Sequence, residues 1–379
     1  MKILAIDDQQ LILLSVEKRL QELGYTVSTA NSGETGISIF NSFEPDLVLV
    51  DINMPDMSGL EVVKYIKSSD KSNTPVLVMS GNTEENIIMD GFTLGIDDYM
   101  KKPVSLDEMA ARIKRLIGAP QRDKVTAESL DARMLQKNCV GVVIPCYNEE
   151  ERLLGKEFKD FAHKNLGYHL CFVNDGSTDR TLEVLRALEK GSESNISVYN
   201  CEKNGGKAEA VRQGMLHLAK DNQLDYIGFL DADLSTDFRD FDDLVETLDN
   251  SDFKIVSGSR MSRMGANITK ESARKIISMS INLIIRTILR MPFNDTQCGA
   301  KIMDRSVVPL LFEKPFITKW LFDVEIFMRM RKHYGKDKAE AFICEQPLKR
   351  WIHADGSKLS MKDSVKIVGQ LAKIAYTYR

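Results

Sequence analysis

Along the first 118 residues a short apolar run is repeatedly followed by a stretch with apolar positions three and four apart. Ile3–Ile6, Thr26–Thr29, Leu47–Val50, Val76–Met79 and Asp98–Met100 read as strands. Leu11–Leu23 (ended by Gly24), Gly33–Phe43 and Gly59–Ser68 read as amphipathic helices between them. Short apolar strands alternating with helices predict a doubly wound α/β sheet, covered on both faces, with ligands beyond the carboxyl ends of its strands. A second series begins after residue 138. Val140–Ile144, Leu170–Val173, Ile196–Asn200 and Tyr226–Leu230 each lead into a polar cluster, and the last leads into Asp231-Ala232-Asp233. Four such clusters after four strands should line one crevice.

Between the two series, residues 119–138 are charged and polar, with Val125, Leu130, Met134 and Leu135 at roughly helical spacing. A helical linker and a flexible tether both fit. Residues 360–379 read as an amphipathic helix with Met361, Val365, Val368, Ala372 and Ala375 on one stripe and Lys362, Lys366 and Lys373 off it. Such a helix packs on its own domain or a second subunit, or rests on a membrane surface.

Charge sharpens the division. The net charge of -4 is unevenly shared: residues 1–120 hold 11 basic and 18 acidic side chains, and the remainder is slightly basic. That asymmetry suggests two modules and argues against general nucleic-acid binding. No segment after 118 offers a helix-turn-helix with a basic recognition face. The six cysteines all follow residue 138 without C-x-x-C spacing, as expected of reduced, mostly buried thiols in a cytoplasmic protein. Met1-Lys2 leads directly into a strand, and Ile276–Leu289, the longest apolar run, is interrupted by Asn282 and Arg286. Neither a signal peptide nor a membrane span is therefore expected.

The strand ends of the first module carry its chemistry. Asp7-Asp8 follows the first, Asp51 ends the third, Ser80 ends the fourth and Lys102 follows the fifth. Three carboxylates at one edge repel one another unless a cation sits among them, and Mg²⁺ accepts such oxygens together with a phosphoryl group. Asp51 can then attack a phosphoryl donor, with Lys102 and Ser80 holding the new oxygens. With Met54-Pro55 and Lys102-Pro103, residues 1–118 resemble a response-regulator receiver domain, a flavodoxin-like five-stranded fold. The resemblance implies that Asp51 is the phosphoacceptor, charged by a sensor histidine kinase or phosphotransfer protein. It also implies that Asp8, Asp51 and the carbonyl of Asn53 bind Mg²⁺ beside Asp7, and that Ser80 and Tyr99 are the switch pair.

In the second module, Asp175 or Glu149 could accept hydrogen bonds from a base or ribose, and Tyr147 offers a flat apolar face. Gly205-Gly206-Lys207 suggests a phosphate-binding turn, but Ala208 and the missing glycine spacing exclude a P-loop. Asp231 and Asp233 suit a metal held against a diphosphate. The segments 143–150, 174–179, 204–207, 231–233, 258–260, 295–299 and 356–359 together make residues 139–359 similar to glycosyltransferase family 2. The fold implied is the nucleotide-diphospho-sugar transferase type A fold, and the closest branch is the polyprenyl- or dolichyl-phosphate glycosyltransferases.

By that resemblance Pro145, Tyr147, Glu149 and Asp175 contact the nucleoside. Asp231 and Asp233 bind Mg²⁺ or Mn²⁺ with the diphosphate, and His353 adds a metal or diphosphate contact. Lys207 and Lys358 neighbour phosphate, Arg260 and Lys301 face an anionic acceptor, and Asp295 is the acidic group beside it. Transfer with inversion is implied, from a uridine diphosphate sugar in preference to a guanosine one, with a polyprenyl phosphate among the candidate acceptors. Homodimerisation and peripheral contact with the inner membrane face are compatible with this reading. The rival is a signalling protein that binds a nucleotide sugar without turning it over.

Overall fold

A computed structural model describes residues 1–81, 85–120, 133–261, 267–268, 284–351 and 361–378, with only the backbone for 85–87, 267–268 and 361–366. By their contacts they form two compact units: Met1–Cys139 with Asp160–Tyr168, and Val140–Lys159 with His169–Arg379.

The first unit runs β1 (Lys2–Ile6), α1 (Gln10–Glu22), β2 (Thr26–Ala30), α2 (Gly33–Phe43), β3 (Leu47–Asp51), α3 (Gly59–Lys67), β4 (Val76–Ser80), α4 (Glu85–Leu94), β5 (Asp98–Lys101), β6 (Val104–Ser105) and α5 (Leu106–Ile117). Its five-stranded sheet is parallel throughout, in the order β2-β1-β3-β4-β5. This is the expected flavodoxin-like winding. Successive strand residues face opposite sides, so a strand covered on both faces is apolar throughout, as Ile3–Ile6, Leu47–Val50 and Val76–Met79 are, while the edge strands β2 and β5 keep polar residues. Ile3, Ala5, Leu47, Leu49, Leu77 and Met79 pack with α1 and α5. Leu4, Ile6, Val48, Val50, Val76 and Val78 pack with α2 and α3. Each of these Ile, Leu, Val and Met side chains contributes roughly 1.5–3 kcal/mol on burial.

The next strand, β7 (Met134–Cys146), begins in this unit. Met134 and Leu135 pair antiparallel with Ser105 and Val104, and Leu135 joins the core beside α5. These two residues are therefore extended, not helical. Leu135 and Cys139 are fully buried while Gln136, Lys137 and Asn138 keep some exposure, and strand pairing with β6 overrides the apparent helical spacing. Val125 and Leu130 lie outside the described residues.

The remaining elements are α6 (Gly155–Lys164), β8 (Asn165–Asn174), α7 (Thr181–Glu189), β9 (Ile196–Asn200), α8 (Lys207–Leu218), β10 (Tyr226–Leu230), α9 (Phe238–Asp249), β11 (Ile255–Ser259), β12 (Asn267–Ile268), α10 (residues 284–289), β13 (Ala300–Asp304), α11 (Val308–Phe312), α12 (Phe322–Tyr334), α13 (Lys336–Phe342), β14 (Ile343–Pro347), β15 (Arg350–Trp351) and α14 (Met361–Thr377). The main sheet has the order β14-β11-β13-β10-β7-β8-β9. β10 pairs parallel with β7, and β8 pairs parallel with β9. β13 runs antiparallel between β10 and β11, so the sheet is mixed. The first seven residues of α12 and the two after them are all buried, charged ones included.

The helix expected over 360–379 is present as α14, but its buried face is not the predicted stripe. Leu371 and Ile374 are fully buried, whereas Val368 is 47% exposed and Ala372 is exposed. The larger Leu and Ile side chains bury more apolar area than the alanines and set the rotation of the helix. All six cysteines are free, four of them buried. No helix among the described residues is long and apolar enough to cross a membrane.

Candidate functional site

The first unit gathers Asp7, Asp8 and Asp51 at the carboxyl edge of its sheet, with ligand oxygens all within 4.8 Å of one another. Lys102 Nζ donates to Asp7 at 2.7 Å and to Asp51 at 3.1 Å, with all three side chains buried. Burial would by itself lower the Lys102 ammonium, but Asp7 and Asp51 outweigh it and hold it above the usual lysine value. Asp7 is pushed up to about 6 because burial, with Asp51 beside it, exceeds the help from Lys102. Asp51 Oδ1 is buried and has no hydrogen-bond partner among the described residues. A crowded carboxylate set with one unmatched oxygen fits a small hard cation such as Mg²⁺.

The surroundings are built to match. Ser58 caps α3 in a capping box with Glu61. Gly59 brings the helix so close that a Cβ there would stand 2.1 Å from the Asp51 carbonyl oxygen. Ser80 is fully buried at the end of β4 and shares a hydrogen bond with the half-buried Tyr99. Asn53 follows two residues after Asp51 and is exposed.

In the second unit, hydrogen bonds knit the loops after β7, β8 and β9 together. Asn148, at φ 53°, accepts from Thr178 N at 2.9 Å, and Glu149 N donates to Thr181 Oγ1 at 2.8 Å. Asp175 accepts from Gly205 N at 2.8 Å and Gly206 N at 2.9 Å, so its carboxylate fixes the glycine turn that opens α8. Burial raises the Asp175 carboxyl more than these two donors lower it. Burial also raises Glu149, which pairs with Arg152 and feels Asp233. Tyr147 presents an exposed ring at the same edge.

Beyond β10, Lys207 from the first turn of α8 binds Asp231. Gly299 closes the other side, since a Cβ there would fall 1.9 Å from Asp231 Oδ2. Asp233 accepts from Ser235 N at 2.9 Å, and Leu234 adopts φ 49° to make this turn. Two carboxylates here, one neutralised by a lysine, fit a cation that arrives with an anionic ligand.

The two candidates for the reaction centre bind each other. Arg260 donates to Asp295 through Nε at 2.7 Å and through a terminal nitrogen at 2.8 Å, and its backbone N–H adds a third bond at 2.8 Å. Asp295 N in turn donates to Glu345 at 2.6 Å. Arg260 keeps 26% of its side chain exposed and lies over the Trp351 ring. Lys301 does not face an acceptor. Its ammonium is wholly buried, donating to the Cys298 carbonyl at 2.7 Å and paired with Asp323 at 2.6 Å.

Asp323 was missed by the sequence reading. It sits in the first turn of α12, its carboxyl raised by burial and influenced by Lys301, Lys207 and Asp231. Its neighbour Lys319 is also near the site, with its stem 3.2 Å from where a Gly206 Cβ would be. The available signal was the cluster of charged residues inside the apolar run 320–330, where unpaired charge is costly. His353 and Lys358 lie outside the described residues.

Comparison with known proteins gives this geometry a family. A model described as response regulator receiver domain matches residues 3–114, and one described as glycosyl transferase family 2 matches residues 141–312. A dolichyl-phosphate beta-glucosyltransferase of Trichomonas vaginalis is 30% identical over 254 residues, covering 63% of this chain and 74% of that protein. The chain belongs to glycosyl transferase family 2. It also carries a receiver domain. The corresponding transferase of Dictyostelium discoideum is 29% identical over the same shares of each chain. The cell cycle transcriptional regulator CtrA of Caulobacter vibrioides is 33% identical over 169 residues, 42% of this chain and 68% of that one. The solved chemotaxis protein CheY4 of Vibrio cholerae is 30% identical over 30% of this chain and 97% of its own, with a TM-score of 0.30.

Proposed function

We propose that this protein transfers a sugar from a nucleotide-diphospho-sugar to a phosphate-bearing polyprenyl acceptor, under the control of phosphorylation at Asp51. The observation that carries the reading is the setting of Asp231 and Asp233. They lie at the end of β10, against the glycine turn held by Asp175, with Lys207 and Gly299 flanking Asp231. Relatives named as dolichyl-phosphate glucosyltransferases support the acceptor class and a glucosyl group as the sugar, and a uridine diphosphate donor is proposed with it.

In this reading Tyr147 and Pro145 flank the base, and Glu149 and Asp175 meet the nucleoside. Asp231 and Asp233 hold Mg²⁺ or Mn²⁺, which when bound neutralises the departing diphosphate. Lys207 releases Asp231 to that cation and turns to the phosphates. Arg260, oriented by Asp295, offers its exposed face to the acceptor phosphate. An acceptor of this kind is already ionised near neutral pH, so attack needs alignment more than a strong base, and it inverts the anomeric centre by direct displacement. In the receiver, Asp7, Asp8, Asp51 and the Asn53 carbonyl hold Mg²⁺, and a histidine kinase or phosphotransfer partner charges Asp51. The protein works at the cytoplasmic side, touching the membrane at most peripherally.

The test is nucleotide release from uridine and guanosine diphosphate sugars, with Mg²⁺ or Mn²⁺ and a polyprenyl phosphate. Metal-dependent release that is lost in Asp233→Ala supports the proposal. Calorimetric binding of a nucleotide sugar without release across the panel supports the non-catalytic sensor instead.

A further inference from the structure

Lys137 lies in the receiver unit but belongs to none of the groups that the phosphorylation chemistry uses. It stands on β7 two residues after Leu135, and strand periodicity puts both side chains on one face. Leu135 is buried in the receiver core next to Val104, Leu106 and Met109. On the same face, the stem of Lys137 crosses Gly81 so closely that a Cβ on Gly81 would meet its Cγ at 2.3 Å and its Cε at 2.6 Å. The opposite face carries Gln136, which donates to Asn165 at 3.1 Å. Gly81 immediately follows Ser80, whose hydroxyl is shared with Tyr99.

We propose that Lys137 reads the phosphorylation state of Asp51 through Gly81 and passes it into β7. The inference rests on the proposed phosphorylation of Asp51. A phosphoryl group there supplies acceptor oxygens that compete with Tyr99 for the Ser80 hydroxyl. Drawing Ser80 toward them moves the backbone at Gly81, which lies directly under the Lys137 stem. The absence of a side chain at 81 makes room for that stem in the present state, and a shift of the loop removes the room. The anchors of β7 at its start include the short pairing with Val104–Ser105, the buried Leu135, the Gln136 bond to Asn165 and the Lys137 stem over Gly81. Displacing Lys137 removes one of these anchors and loosens the segment 134–139. The same strand continues through Val140–Cys146 to Tyr147, so this segment is a covalent path toward the nucleoside loop.

The test is hydrogen exchange on the full chain with Mg²⁺, before and after treatment with acetyl phosphate, with the adduct on Asp51 confirmed by intact mass. Exchange in peptides covering 133–139 should rise about fivefold on phosphorylation, equivalent to ~1 kcal/mol in local opening. The response should vanish in Lys137→Ala and in Gly81→Ala, where the contact is already broken, while the adduct still forms. An adduct without a change in 133–139, or a Lys137→Ala protein that responds like the wild type, overturns this inference alone. Absence of the adduct in wild type overturns the underlying phosphorylation reading and this inference with it.

Discussion

The two acidic sites solve charge crowding in opposite ways. In the receiver, Asp7 and Asp51 share one lysine with Asp8 beside them, and Asp51 keeps a buried oxygen without a hydrogen-bond partner among the described residues. In the transferase domain four acids each pair with a base, Asp231 with Lys207, Asp323 with Lys301, Asp295 with Arg260 and Glu149 with Arg152, while Asp233 and Asp175 accept from backbone N–H groups. An undercompensated site attracts a cation by itself, while a compensated one takes a cation only when another anion enters. Under the proposed function, the contrast predicts a receiver that takes Mg²⁺ alone and a transferase site that takes its cation together with the substrate.

That contrast can be broken most forcefully at its key acids. Asp233→Ala should lower nucleotide release by about a hundredfold or more, through loss of transition-state charge stabilisation, and leave receiver phosphorylation intact. Steady-state assays beside an intact-mass measurement of the receiver adduct check both halves. Lys207→Met should release Asp231 from its partner. Metal affinity without nucleotide should rise, and turnover should fall about 10–100-fold as a charged phosphate contact is lost. Calorimetric Mn²⁺ titrations with and without uridine diphosphate read the first effect directly.

The receiver's crowding has a signature in pH. Native Asp7 holds its proton up to about 6, whereas its ordinary value is 3.8. The native state therefore binds more protons than the unfolded chain across that window, and stability must fall as pH rises through it. With metals chelated, the loss between about pH 4 and pH 6 should be on the order of 1–3 kcal/mol, and Asp7→Asn should flatten it. Urea unfolding followed by the receiver's signal measures the slope. A smaller effect concerns the helix that closes on Asp51: Ser58→Ala should cost about 1 kcal/mol through loss of the α3 cap.

Most of the frame could be read from the chain. The receiver strands lie within a residue or so of the sequence expectation, and the three central ones are the plainest because strands buried on both faces are apolar without interruption. The site acids were visible because each follows such a run. What escaped is long-range pairing. Nothing local distinguishes a linker helix from the strand at Met134–Asn138, which is extended because Val104–Ser105 offers it a partner. Lys301 read as an acceptor contact because its burial against Asp323, 22 positions away, has no local signature. The bidentate union of Arg260 with Asp295 is of the same kind. In α14 the period is right but the phase is not, because the buried Leu371 and Ile374 set the rotation of the helix.

The central claim, a transferase governed by its own receiver, is tested most directly by one assay. Metal-dependent nucleotide release would be measured with and without acetyl phosphate, in wild type and in Asp51→Asn. A phosphodonor-dependent change in rate that disappears in Asp51→Asn is the predicted result. Identical rates in all four conditions, with the adduct on wild-type Asp51 confirmed by mass, would contradict it.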